Sequence, residues 1–292
     1  MGNQQVKTTT PEEITEAAVG SFDSCPDERT REILQKLVRH LHAFAVDARL
    51  TEEEWMAGIQ FLTRTGQACT DTRQEFILLS DTLGLSMAVD AINHGKGADA
   101  TESTVLGPFY VPDSPWRANG DAINIEADGE PVIVQGRVTN TADHPIAGAV
   151  VDVWQNSTNE LYAVQDPSQP PDNLRGRFRA GDDGRFWFRT IRPVDYPIPH
   201  DGPVGEMLAS VGRHPWRPAH IHLIVSAPGY EPVTTHIFDA DSRYLDSDAV
   251  FGVKSSLIRE FQRHDPATEP APPGVDRPWY TVDCSLALEP AG

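Results

Sequence analysis

The sequence predicts an α+β protein, with N-terminal helices followed by a β-sandwich. Three observations carry this. Between about residues 28 and 95, apolar residues recur at three- and four-residue intervals, the period of an amphipathic helix. From about 104 the pattern changes to short apolar runs punctuated by Pro, Gly and Asp, as all-β sandwiches show. At 292 residues the chain can bury a full core without disulfides. The expected division is a helical region at 1–103 and a β domain at 104–292.

Ile33, Leu34, Leu37, Val38, Leu41 and Ala45 form the stripe of the first helix. Thr51 with Glu54 has the composition of a capping box and opens a second helix through Trp55, Ile59 and Leu62. Asp71 with Gln74 opens a third, ending near Gly95. These helices are too small for a strong core of their own, so they are expected to pack on the larger half or on a second subunit. Strands are expected at 132–138, 149–154, 185–191, 220–226 and 234–238. Asp183-Gly184, between Phe178 and Phe186, is a hairpin turn signal. The proline-rich loops at 165–173, 193–203 and 268–273 are the places where sites are usually built.

With 43 acidic and 24 basic residues the net charge is −19, which argues against nucleic acid or an anionic membrane as partner. Cys25, Cys69 and Cys284 are far apart and in no metal spacing, so they read as thiols of a reducing compartment. No apolar stretch approaches membrane-spanning length and no signal peptide is visible, so a cytoplasmic protein is expected.

Arg217-Pro218-Ala219-His220-Ile221-His222 is the most informative segment. Two histidines two residues apart in a strand project from one face, the geometry of a chelate. His40 and His42 have the same spacing in a helix, where about 200° separates them around the axis, so they cannot chelate together. Taken alone, the strand pair is as readily structural as metal-binding. Tyr162 and Tyr196, at the mouths of two of the long loops, are candidate partners.

With these residues the sequence resembles the intradiol ring-cleaving dioxygenases, whose ferric iron is held by two tyrosinates and two histidines in this order and approximate spacing. The similarity runs from about Phe76 to Phe261. It includes Leu79-Ser80-Asp81-Thr82-Leu83-Gly84, the stretch from Thr101 to Tyr110, and Val250-Phe251-Gly252-Val253-Lys254. The resemblance implies one Fe(III) per subunit on Tyr162, Tyr196, His220 and His222, with Tyr196 the displaceable ligand and general base. Such a donor set suits a hard ion, because anionic oxygens and imidazoles replace soft thiolates. Arg217 is implied to stabilise charge on the substrate, which chelates through both oxygens before both atoms of O2 enter the product. The implied fold is a mixed-topology β-sandwich with the iron at one edge. Its N-terminal helices form a homodimer seam that in family members often holds a phospholipid.

The resemblance also implies a pocket of Leu78, Asp81, Val105, Gly107, Pro108, Phe109, Pro197, Ile198 and Phe251. Asp81 is an acid among apolar neighbours, and it could accept a hydrogen bond from a third hydroxyl. An unpaired acid there would cost catechol about 1–3 kcal/mol. The expected substrate is therefore hydroxyquinol (1,2,4-trihydroxybenzene), cleaved to 3-hydroxy-cis,cis-muconate, with catechol as the alternative; hydroxyquinol-cleaving members are those the chain most resembles. An N-cap role for Asp81 at a helix break is the competing reading. His236, where glutamine is common, is either a pocket residue or a polar neighbour of the iron ligands. Two other classes stay open: a zinc hydrolase using the His pair, disfavoured by the lack of an HExxH-type site, and a binding module on the same fold.

Overall fold

The computed structural model describes residues 10–291 except 72, 96, 98, 126, 127, 273 and 274, so Pro273 of the third expected loop lies outside it. The chain divides into two compact units, Met1–Arg64 and Thr65–Gly292.

In the first unit, α1 (Pro11–Gly20) was not anticipated, although its signal is present. Thr10 and Glu13 make a complete capping box and Pro11 follows the cap. Helix α2 (Glu28–Ala48) starts on Asp27, whose carboxylate accepts from Thr30 N at 2.7 Å. An Arg39–Glu16 ion pair joins the two helices. The stripe Ile33, Leu37 and Leu41 is exposed, as are Trp55, Ile59 and Leu62 of α3 (Glu52–Gln67). The Thr51–Glu54 box opens α3 as expected.

The expected third helix is two, α4 (Glu75–Thr82) and α5 (Leu85–Asn93), broken at Gly84 with φ 75°. Gln74 rather than Asp71 precedes α4, and it makes no side-chain cap. A tertiary tie fixes this end instead: the buried Glu75 carboxylate accepts from Arg73 Nε at 2.8 Å and from Val204 N at 3.1 Å. Neither does Asp81 cap α5, whose N-cap is Gly84.

Beyond the helices come β1 (Pro131–Asn140), β2 (Val150–Gln155), β3 (Arg175–Arg179), β4 (Arg185–Ile191), β5 (Tyr196–Pro197), α6 (Pro203–Ser210), β6 (Trp216–Arg217), β7 (His220–Ser226), β8 (Val233–Asp239), β9 (Ile258–Arg259), β10 (Gln262–His264), β11 (Trp279–Asp283) and β12 (Leu286–Leu288). The five expected strands are all present. Two five-stranded sheets result among the described residues. In one, β1 pairs antiparallel with β4 and parallel with β11 and β12, and β10 adds to β11. The other has the order β3-β2-β7-β8-β9, with only the β8–β9 pairing parallel. This is the mixed-topology sandwich that was expected.

Asp183-Gly184 turns the chain, but not as a hairpin. The flanking strands β3 and β4 belong to different sheets, so the turn is an arch across the sandwich. Its Gly184 has φ 77°, and its carbonyl accepts from Val138 N in the second strand it touches. The sequence signal for a tight turn is the same in both cases; which partner each strand finds is decided by core packing.

That core lies between the sheets. Val132, Val134, Phe186 and Phe188 from one sheet meet Val151, Val153, Phe178, Ile221, Leu223 and Val225 from the other, with Phe178 and Phe188 stacked at 5.0 Å. Alternation along β7 follows: Ile221, Leu223 and Val225 point into the core, which turns His220 and His222 to the outer face.

Candidate metal centre

Strand register sets side chains beside one another on that outer face. Trp154 of β2 is opposite His222 of β7, and His222 is opposite His236 of β8. The indole stacks on the His222 ring at 4.6 Å with an interplanar angle of 14°.

His220 and His222 hold their Nε2 atoms 3.1 Å apart. His220 Nδ1 lies 2.7 Å from the Pro218 carbonyl oxygen. That bond places the ring proton on Nδ1 and leaves the Nε2 lone pair facing the centre, the orientation a ligating histidine needs. The Tyr162 hydroxyl is 3.1 Å from His222 Nε2. Tyr196 and Arg217 face one another in the β5–β6 ladder. From there Arg217 Nη1 reaches the Tyr196 hydroxyl at 3.4 Å and His220 Nε2 at 3.3 Å. All five side chains are at most 3 % exposed, so the tyrosines, histidines and Arg217 singled out in the sequence form one buried centre.

Burial dominates the electrostatics. It holds His220 and His222 well below the usual imidazole range, with Arg217 adding to the effect on both and His220 acting on His222 as well. Both imidazoles are therefore neutral and available as ligands. Burial also pushes the Tyr162 phenol well above its ordinary value, and Tyr196 beside it reinforces the shift. Only a strong local positive field, such as that of a bound cation, favours the phenolate there. The donor set of two imidazoles and two phenol oxygens, without thiolate, fits a hard metal ion.

Arg217 keeps its charge despite burial because Asp248 faces it. Asp248 accepts from Arg217 Nε at 3.0 Å and from Nη2 at 3.3 Å. It also accepts from the backbone N–H groups of Val250 and Gly252. Nη1 is left for the centre. Sequence reasoning missed Asp248; its signal was an acid just before the Val250-Phe251-Gly252 stretch already singled out.

The expected pocket residues do not share one cavity. Leu78, Pro108, Phe109, Pro197 and Ile198 line a cleft of about 440 Å³, together with Arg73 and Leu161. Asp81, Val105 and Gly107 line a second cavity, of about 830 Å³. The 105–109 segment passes from one to the other. Gly107, with φ 74°, lies against His222: a Cβ there would be 3.3 Å from the imidazole Cε1. Phe109 stacks on Tyr162 at 4.7 Å. Phe251 stands apart, half exposed, over Arg213 and beside a third cavity.

Asp81 is buried. Its carboxyl is pushed up by that burial, against the opposing pull of a Ser86 hydrogen bond and the Arg217 charge. His236 is fully buried, 4.6 Å from the His220 ring and 4.1 Å from the His222 ring, and among the described residues neither of its nitrogens completes a hydrogen bond of ordinary geometry. Burial holds the His236 imidazole well below its usual range, with His222, His220 and Arg217 adding to the effect and the Val105 backbone opposing it. His200 and His214, in loops, are not part of the cluster.

Comparison with known proteins agrees with this geometry. Residues 105–274 match the Dioxygenase family, and residues 27–101 match the catechol dioxygenase N terminus. A hydroxyquinol 1,2-dioxygenase of a Rhizobium species is 50% identical over 95% of both chains. A 6-chlorohydroxyquinol 1,2-dioxygenase of Cupriavidus pinatubonensis is 52% identical over 95% of this chain and 96% of its own. The crystal structure of hydroxyquinol 1,2-dioxygenase from Pseudomonas putida superposes with a TM-score of 0.90 at 50% identity, covering 96% of this chain and 99% of that one. With two matched family regions and a buried histidine cluster suited to a metal ion, the chain belongs to the intradiol ring-cleavage dioxygenases.

Proposed function

We propose that this protein is a ferric intradiol dioxygenase that cleaves hydroxyquinol between its adjacent hydroxyls to 3-hydroxy-cis,cis-muconate, incorporating both atoms of O2. The observation that carries this reading is the convergence of Tyr162, Tyr196, His220 and His222 on one buried point beside Arg217. Two relatives named for hydroxyquinol or its chlorinated form, at 50% and 52% identity, support the substrate.

In this reading Tyr162, Tyr196, His220 and His222 hold one Fe(III) per subunit. Bound there, the ion supplies Lewis acidity that lowers the pKa of the diol and activates the ring toward O2. Tyr196 would be the displaceable ligand, its oxygen serving as base for a diol proton, while Tyr162 and the two histidines would keep hold of the ion. Arg217 Nη1, aimed by Asp248, faces the charge that develops on the substrate. Leu78, Pro108, Phe109, Pro197 and Ile198, in the cleft on one side of the 105–109 segment, wall one side of the ring, and Val105 and Gly107 of that segment bound the other; Phe251, beside a third cavity, takes no part in this wall. Asp81 accepts from the third hydroxyl, a contact that catechol cannot make, and His236 lies beside the bound ring.

The exposed apolar stripe of α2 and α3 supports a homodimer built on the helical region, in which 1–103 serves as linker and dimerisation region and 104–292 as the catalytic domain. A phospholipid in that seam and a cytoplasmic location complete the reading. No helix among the described residues is long and apolar enough to cross a membrane.

The test is oxygen uptake by the aerobic, iron-loaded protein with hydroxyquinol and with catechol, for wild type and Asp81→Ala. A hydroxyquinol preference that falls about tenfold or more in the variant supports the assignment, since about 1.4 kcal/mol corresponds to tenfold. Faster catechol turnover by wild type would move the assignment to catechol, for which a Candida albicans relative 41% identical to this chain is named.

A further inference from the structure

The cleft of about 440 Å³ has a charged mouth. Among the described residues that line it, Arg73 is the only Lys or Arg, and Glu75 and Asp201 are the acids. The guanidinium is shared between them: Nε donates to Glu75 and Nη1 to Asp201, each at 2.8 Å. Nη2 is buried and completes no hydrogen bond among the described residues; a Cβ on Gly202 would come within 2.5 Å of it. The two carboxylates differ in kind. Glu75 is fully buried and also accepts from Val204 N at 3.1 Å, in the first turn of α6, so it is a fixed part of the fold. Asp201 stands on the surface, its side chain 77 % exposed, and pairs with Arg73 Nη1. An exposed ion pair contributes little to stability, so bracing the loop does not account for Asp201. Its place at the mouth does.

We propose that Asp201 is a specificity-determining residue, which masks Arg73 Nη1 and so denies the cleft's guanidinium to an anionic substituent on the aromatic ring. The proposal rests on the reading of this cleft as the one that admits the ring. Leu78, one helical turn beyond Glu75 on α4, and Ile198, three residues before Asp201, line the same cleft, so the charged mouth and the apolar wall belong to one cavity. Two carboxylates against one guanidinium leave the mouth one negative charge in excess. A neutral diol or triol passes it without penalty, whereas a carboxylated diol meets like charge and finds the arginine engaged. The mask holds because Asp201 is tethered: its carboxylate competes for Nη1 within the molecule, at an effective concentration above that of a dilute free ligand.

The test is anaerobic calorimetry on the iron-loaded, full-length protein. Hydroxyquinol and catechol are compared with 3,4-dihydroxybenzoate and 3,4-dihydroxyphenylacetate, diols whose carboxylates stand on arms of different length. In Asp201→Ala the affinity for at least one anionic diol, relative to the neutral ones, is expected to rise about tenfold or more, the size of one charge-assisted hydrogen bond. The gain is expected to shrink in high salt and to vanish when Arg73→Met is added. An unchanged ratio in Asp201→Ala overturns the proposal, and this measurement does not need the Arg73 variant to fold. A gain that survives the loss of Arg73 overturns it as well. Oxygen uptake on the same samples separates the mask from the reading it rests on. Diol binding without oxygen uptake would sink the dioxygenase reading while the affinity ratio still decides the mask; turnover with an unchanged ratio would sink the mask alone; and absence of binding by every diol would sink both.

Discussion

Asp248→Asn is the substitution whose consequences the structure defines most closely. Asp248 receives four hydrogen bonds, from Arg217 Nε and Nη2 and from the N–H groups of Val250 and Gly252. An asparagine oxygen can keep the contacts at the Oδ1 position. Its NH2 group then faces Arg217 Nη2 and Gly252 N, so that donors meet donors at 3.3 and 2.9 Å. The guanidinium, 2 % exposed, loses its counter-charge in a region without solvent. Breaking a buried pair from one side costs about 3–5 kcal/mol, and because the amide keeps half of the contacts, about 3 kcal/mol is expected. Freed from its clamp, Arg217 no longer holds Nη1 between Tyr196 and His220. Loss of one oriented donor corresponds to roughly a hundredfold in kcat. Urea unfolding and oxygen-uptake kinetics measure the two effects, with iron content determined on the same samples. A variant that loses stability but keeps kcat would show that Asp248 does not aim Arg217. A fall in kcat that merely tracks lost iron would show that the clamp serves metal retention instead.

Two further outcomes follow from burial and close contact. Gly136 of β1 lies where a Cβ would come within 2.3 Å of the Cys284 carbonyl oxygen, between the β11 and β12 pairings; Gly136→Ala is expected to destabilise by about 3 kcal/mol in urea unfolding, since backbone there cannot give way. Burial raises the folded pKa of Asp81 above its ordinary value of 3.8, so the folded state binds its proton more tightly than the unfolded state. Its contribution is favourable below about pH 3.8 and is lost as pH rises through the folded pKa. Asp81→Asn is therefore expected to gain stability relative to wild type as pH rises above 4, and a difference that stays flat between pH 4 and 7 would refute the burial argument.

What the sequence disclosed was local. The alternation of 220–226 placed both histidines on one face, and the strand is found with those bounds. The Thr51–Glu54 box was legible because its partners are three residues apart. Pairings between distant segments were not legible. Asp183-Gly184 looked like a hairpin, yet β3 and β4 are claimed by β2 and β1. Asp71 looked like a cap, but the end of α4 is fixed by Glu75 and the backbone of α6, 129 residues away in the chain. Asp248 was silent for the same reason, standing 31 residues from the arginine it holds. The division of the pocket residues between separate cavities depends on where 105–109 crosses the outer face, which no periodicity encodes.

The outer face of this sheet itself argues for a bound group. A sandwich sheet normally buries one face and solvates the other, so its outward positions alternate to polar, exposed residues. Here the outward residues of three adjacent strands, Trp154, His222 and His236, are all at most 4 % exposed. Among the described residues, Trp154 Nε1, His222 Nδ1 and both nitrogens of His236 also complete no hydrogen bond. At about 1–3 kcal/mol for each unsatisfied buried group, that cluster costs a substantial part of the 5–15 kcal/mol, roughly, that holds a typical domain folded. Histidines retained only for packing would be replaced by apolar residues at no such cost. What the burial of this face makes room for is the pair of His220 and His222 Nε2 atoms, held 3.1 Å apart, and a metal ion held by several donors at once is a ligand that binds more strongly than that burial opposes.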